Sequence, residues 1–264
     1  MAQKTPYRLP ELAPRQRDIL HAVIREHLES AHPVASAALV QRYRLPVSSA
    51  TVRNELAMLE ELGLLTHPHT SAGRVPTDLG YRYFIESLMP RPDIDEDERV
   101  TLSHQFRQAP DDTADRLRLA ASTLARLTAE AAIATFDAVV DLDRVTWTRE
   151  IHYEGVELVL EQPEFERRDL VREVMALLND RALLARVLPL GLGEGDVAVT
   201  IGGELAVEAL HAFALVVGRY GSPERPAGYV GVVGPRRMDY RRTIGAVRYI
   251  GELMSDLVGP AGGA

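Results

Sequence analysis

The sequence predicts an α+β protein in two parts. A mostly helical N-terminal part closes in a short hairpin, and a larger part mixes strands and helices. Three observations predict this. Apolar residues recur at helical spacing from Ile19 to Leu62, then yield to a turn marked by Pro68 and Gly73. From about residue 145, short apolar runs suited to strands alternate with amphipathic helical stretches. Charge is also divided: residues 1–90 hold ten Lys/Arg against nine Asp/Glu, and residues 91–264 hold twenty against twenty-nine. The formal net charge of −8 therefore sits in the second part and does not exclude an anionic partner for the first.

With 264 residues the chain allows one large domain or two ordinary ones, and 46% hydrophobic content is enough for real cores. The absence of cysteine excludes disulfides, thiolate catalysis, thiolate-bound zinc and iron–sulfur clusters. No apolar run approaches the ~20 residues that span a bilayer, and MAQKTPYRLPELAPRQ lacks the apolar centre of a signal peptide. A cytoplasmic protein with no membrane partner is expected.

Residues 1–13, with Pro6 and Pro10, read as a loose arm. A first helix is expected from Pro14, which suits an opening turn, to about Ser30, where Ala31-His32-Pro33 stops it. Ser36 is expected to cap a second helix through Tyr43. After Arg44-Leu45-Pro46, Ser48 or Ser49 caps a third helix to about Leu62, with Gly63 as its stop. Leu64-Leu65 and Arg74-Val75 are the hairpin strands, and Thr77 caps a fourth helix.

This order is that of a winged helix-turn-helix. In that geometry the start of the third helix meets base edges, here Ser48, Ser49, Ala50, Thr51, Arg53 and Asn54. Arg forks onto guanine, Asn pairs with adenine, and Ala and Thr methyls touch thymine. Serine hydroxyls and helix N-terminal amides hold phosphate. The wing offers His67, His69, Thr70, Ser71 and Arg74 for backbone or minor-groove contact. A protein-docking module fits the same pattern, with the serines as plain caps and Arg53 and Asn54 as a solvated face. His67-Pro-His69 lacks a third ligand at suitable spacing, so no metal site is expected.

PVASAALVQRYRLPVSSATVRNELAMLEELGLLTHPHTSAGRVPTDLGYRYFIESL resembles the N-terminal domain of HrcA, the heat-inducible transcription repressor family. TIGGE at 200–204 and GYVGVVGPRRMDYRRTI at 228–244 resemble that family's C-terminal signature. The resemblance implies a homodimer on double-stranded DNA carrying an inverted repeat called CIRCE, upstream of chaperonin and heat-shock operons. It also implies dependence on the chaperonin GroEL, which helps the repressor fold and is diverted by heat. The second domain is implied to be GAF-like and to carry an inserted dimerisation domain.

The division expected is a DNA-binding winged helix over 1–89, a linker with a connecting helix over 90–110, and a reduced GAF-like regulatory and dimerisation domain over 111–264. A helix from Asp111 or Asp112 to about Ile133 is either a packing helix or a dimer seam. Val145–Ile151 and Val156–Leu160 read as strands. Residues 162–180 and 182–188 read as helical, 196–201, 213–217 and 229–233 as buried strands, and the chain from Asp239 as a final helix. Between Phe136 and Glu150 the chain departs from the family and is expected to lack the first sensor-domain strands and the insertion. GVVGPRRMDY lacks the glycine spacing of a dinucleotide or phosphate loop, so Arg236 and Arg237 are expected to meet acids or solvent. No cofactor, metal or enzymatic activity is expected. The alternative to a repressor is a ligand-responsive winged-helix regulator or a docking module.

Overall fold

The computed structural model describes residues 9–68, 73–139, 147–188, 192–193, 195–221 and 228–258. Its contacts divide the chain between Arg91 and Pro92.

In the first unit, α1 (Pro14–Ser30) opens on its proline. The Gln16 side chain reaches back to accept the Ala13 N–H at 3.0 Å, and the helix ends on Ala31 at φ 58. α2 (Ser36–Tyr43) is preceded by Ala35, so Ser36 is its first helical residue and not the expected cap. α3 (Ser49–Glu61) is capped by Ser48. β1 (Leu65–Thr66) and β2 (Val75–Pro76) pair antiparallel, and Arg74 adds a bridge to Val34. Gly73 makes that bridge possible, because a Cβ there would lie 2.4 Å from the Val34 carbonyl. α4 (Asp78–Tyr83) is capped by Thr77 and runs into a π-helical turn, Phe84–Leu88. The core is Ile19, Leu20, Val23 and Ile24 of α1, Leu39 of α2, Val52, Leu56 and Leu59 of α3, and Leu64, Leu65, Tyr81 and Phe84. Each aliphatic side chain so buried contributes roughly 1.5–3 kcal/mol. Together they hold α3 against α1 and α2.

The second unit begins with α5 (Glu96–Arg107). The stretch read from the sequence as a linker with a connecting helix is packed against a later helix from its start. Ile94 is buried, Arg242 Nη2 meets Glu98 at 2.7 Å, and the Tyr249 hydroxyl donates to the Arg99 carbonyl at 2.9 Å. α6 (Thr113–Thr128) is capped by Asp112 and ends on Ala129 at φ 56. It therefore stops short of the expected Ile133. The chain becomes β3 (Ala131–Val139), paired over eight residues with β4 (Trp147–Glu154). β3 and β4 thus flank the place, between Phe136 and Glu150, where a long stretch of the family was expected to be missing.

α7 (Val156–Leu160) is a helix, not the expected strand. Gly155, at φ 77, ends β4 in a conformation that L side chains avoid, and a Cβ there would lie 2.5 Å from that of Ala125. A 3₁₀ turn (Pro163–Glu166), α8 (Arg168–Asn179) and α9 (Arg181–Val187) follow. β5 (Val197–Ile201), β6 (Phe213–Tyr220), β7 (Gly228–Pro235) and α10 (Tyr240–Val258) complete the unit.

The sheet is antiparallel with order β4-β3-β7-β6-β5. Strand alternation gives it two apolar faces. Ile133, Phe213, Leu215, Val217 and Val233 pack against Val159, Phe165, Val174 and Leu177 from the α7–α8 side. The opposite face carries α6 and α10, which also touch each other. Leu117, Ala120, Ala121 and Leu124 of α6 and Ile244, Val247 and Ile250 of α10 are buried within this unit. α6, read from the sequence as either a packing helix or a dimer seam, turns its apolar face inside the domain, and so does α10. No helix among the described residues is long and apolar enough to cross a membrane.

Candidate nucleic-acid interface

α3 has one face in the core and one in solvent. Val52, Glu55, Leu56 and Leu59 are buried, while Ala50, Arg53, Asn54 and Ala57 are exposed at helical spacing on the other side. Local chemistry fixes where this face starts. The Ser48 hydroxyl accepts the Thr51 N–H at 3.1 Å and lies 3.0 Å from Thr51 Oγ1. Ser49 Oγ lies 3.1 Å from Ser36 Oγ, so the first turns of α2 and α3 are tied together. Ser48→Ala is expected to lower the unfolding free energy by about 1 kcal/mol, the usual value of a lost cap. Thermal unfolding of the variant checks this, and Ser48→Asp should restore the loss.

Charge pairs brace the scaffold behind that face. The nearly buried Glu55 accepts Arg15 Nε at 2.7 Å, joining α3 to α1. Arg42 of α2 bridges Glu26, at 2.8 Å, and Glu29 of α1. Exposed pairs of this kind contribute little individually, but these tie all three helices together. Arg53 stands on the exposed face and pairs with no side chain among the described residues.

The residues nominated from the sequence divide into three groups. Ser48, Ser49, Thr51, Arg53 and Asn54 come together at the start of α3. Arg74 is turned toward α3, with Nε 2.8 Å from Glu60 Oε2, and its side chain is mostly covered. His69, Thr70 and Ser71 lie outside the described residues. Sequence reasoning missed Glu60, and read Ser36 as a cap without its contact to Ser49. Neither contact carries a local signal, since each is to a residue brought near only by the folded helices and hairpin.

In the second unit Arg237 forks onto Glu164, at 2.7 and 3.2 Å, meeting an acid as expected. A cavity of about 410 Å³ is lined by Asp93, Ile94, Asp95, Glu96, Asp239, Arg241 and Arg242. Its walls are almost wholly charged, unlike the mainly apolar lining of small-molecule sites. Arg242 is held there by Glu98 and by the Leu127 carbonyl at 2.6 Å.

A capped helix with a polar outer face, backed by a three-helix core and followed by a two-armed hairpin, defines a winged-helix regulator, here joined to an α+β domain. The profile of the HrcA protein C terminal domain matches residues 87–244. The heat-inducible transcription repressor HrcA of Roseiflexus sp. (strain RS-1) is 35% identical, with 94% of this chain and 95% of that protein aligned. The repressor of the same name from Herpetosiphon aurantiacus is also 35% identical, over 94% and 96% of the two chains. The chain belongs to the HrcA family of heat-inducible transcription repressors, negative regulators of heat-shock genes. A crystal structure titled only as a hypothetical protein has the same fold, with a TM-score of 0.73 at 21% identity over 94% of this chain and 99% of that one. The Roseiflexus alignment spans 341 positions against the 264 residues here, so a long stretch of that repressor has no counterpart in this chain.

Proposed function

We propose that this chain represses chaperonin and other heat-shock operons by binding a CIRCE-type inverted repeat as a homodimer. Two copies of α3 enter successive major grooves, about 34 Å apart or a multiple of that distance. The bound dimer blocks polymerase. The observation that carries this reading is the exposed start of α3, where Ala50, Arg53 and Asn54 share one face behind a serine-capped first turn. Those side chains suit direct readout of thymine, guanine and adenine. The family to which the chain belongs supports it.

A single half-site binds weakly. Pairing two copies raises the effective concentration of the second recognition helix, so much of the operator affinity depends on the dimer. Anything that lowers the amount of folded, paired protein then derepresses without touching a base contact. The chaperonin GroEL acts at this step, and heat withdraws it. Pairing uses the second domain, which we read as a reduced GAF-like domain, without most of the family's inserted domain. The protein acts in the cytoplasm, is not an enzyme and takes no cofactor.

Purified protein without added ligand should retard a duplex carrying the inverted repeat and should bind a single half-site much more weakly. Binding that appears or disappears only on addition of a small molecule would favour a ligand-responsive regulator. Absence of binding under all conditions would favour a docking module.

A further inference from the structure

One carboxylate on α3 holds both arms of the hairpin. Glu60 stands in the last turn of α3. Its Oε2 forms an ion pair with Nε of Arg74 at 2.8 Å, at the head of the returning arm, without the alignment of a hydrogen bond, and its Oε1 is hydrogen-bonded to Nδ1 of His67, at the end of the outgoing arm. The Glu60 and Arg74 side chains are only 25% and 24% exposed, so solvent screens this pair less than an open surface pair. The Arg74 main chain is engaged as well. Its N–H donates to the Val34 carbonyl at 2.9 Å, and its carbonyl accepts the Val34 N–H at 2.8 Å. Arg74 therefore gives its backbone to Val34, between α1 and α2, and sets its guanidinium against Glu60 of the recognition helix.

We propose that Glu60 is a positioning residue for DNA binding: by gripping His67 and Arg74 it sets the direction in which the hairpin leaves α3, and Arg74 is a brace within the domain, not a phosphate ligand. This rests on the DNA-binding reading. It deepens that reading by assigning a role to an acidic residue beside a surface that meets a polyanion. The sign of the effect separates the clamp from simple electrostatics. If charge alone matters, removing the Glu60 carboxylate reduces repulsion and tightens binding to any duplex. If Glu60 is the clamp, the same change frees the arms and weakens binding.

The test uses the full chain with Glu60→Gln, Arg74→Ala and the double variant. Each is titrated at several salt concentrations against two duplexes. One carries the inverted repeat with its flanks. The other ends at the recognition-helix footprints and lacks the flanking base pairs within reach of a wing. On the flanked duplex each single variant should bind about five- to tenfold more weakly than wild type, with the double no weaker than either single, as expected of residues acting as one unit. Salt slopes should match wild type. All four proteins should bind the shortened duplex equally, which separates a freed wing from a damaged fold.

Unchanged or tighter binding by Glu60→Gln on the flanked duplex would overturn the clamp. So would additive losses with a salt slope lowered by about one unit in Arg74→Ala, the signature of a phosphate contact. Equal losses on both duplexes would overturn it too. Failure of the wild-type protein to bind either duplex would overturn the DNA-binding reading, and the clamp with it.

Discussion

Arg53→Ala should weaken operator binding by about 1–3 kcal/mol and flatten base preference at one position in each half-site, the signature of a lost guanine fork. Arg53 stands on the exposed face of α3, one turn in from the capped start, so truncation removes no core contact. Thermal unfolding should therefore be nearly unchanged, which separates a lost base contact from a lost fold. Affinities measured on a set of duplexes with single substitutions in the repeat give the pattern. An equal loss on every sequence would instead make Arg53 a phosphate contact.

Glu130→Gln should stabilise the second domain at neutral pH by on the order of 2–3 kcal/mol. Glu130 is 3% exposed and sits just before β3. Its carboxyl lies under Gly234 of β7, where an added Cβ would be 2.0 Å from Oε2, and it accepts Gln162 Nε2 at 3.0 Å. Burial raises its pKa from an ordinary 4.5 to about 8. The Gln162 hydrogen bond and the Arg237 charge pull it down, and the nearby Glu164 charge pushes it further up. In the unfolded chain the group loses its proton near the ordinary value. Between the two values the folded state alone keeps the proton, so stability falls as pH rises from about 4.5 to about 8. Each pKa unit is worth roughly 1.4 kcal/mol, which makes this the largest single effect of pH among the described residues. Denaturant unfolding at pH 5 and pH 8 should show wild type losing stability relative to Glu130→Gln. Parallel behaviour of the two proteins would contradict the assignment.

The first domain was legible in the sequence because its signals are local. Pro14, the serine before α3, Gly63 and Thr77 mark boundaries within one turn of the helices they delimit. The winged-helix order then pointed to the start of α3 as the expected contact surface. The second domain was read less well where tertiary pairing outweighs local preference. The alanine-rich run Ala129–Ala134 reads as helix, yet Ala129 turns left-handed and Ala131–Ala134 pair with β7 on one side and, from Ala132, with β4 on the other. VELVL reads as strand from its β-branched residues, yet Gly155 turns the chain and Val159 packs beneath the sheet as part of a helix. The resemblance pointed to a missing stretch near residue 140, and the sequence did not show that the chain on either side of it pairs as β3 and β4. The Glu60 clamp had no sequence signal. Its two partners lie seven and fourteen residues further on and arrive only when the hairpin folds back.

On the DNA-binding reading, the outer face of α3 reads bases in the major groove, in two copies related by symmetry. Guanine N7 lies in the major groove, so methylation protection on an inverted-repeat operator tests the claim directly. Protected guanines should fall at equivalent positions in both halves of the repeat, and Arg53→Ala should lose one of them in each half. Protection in only one half, or none within the repeat despite tight binding, would contradict the account.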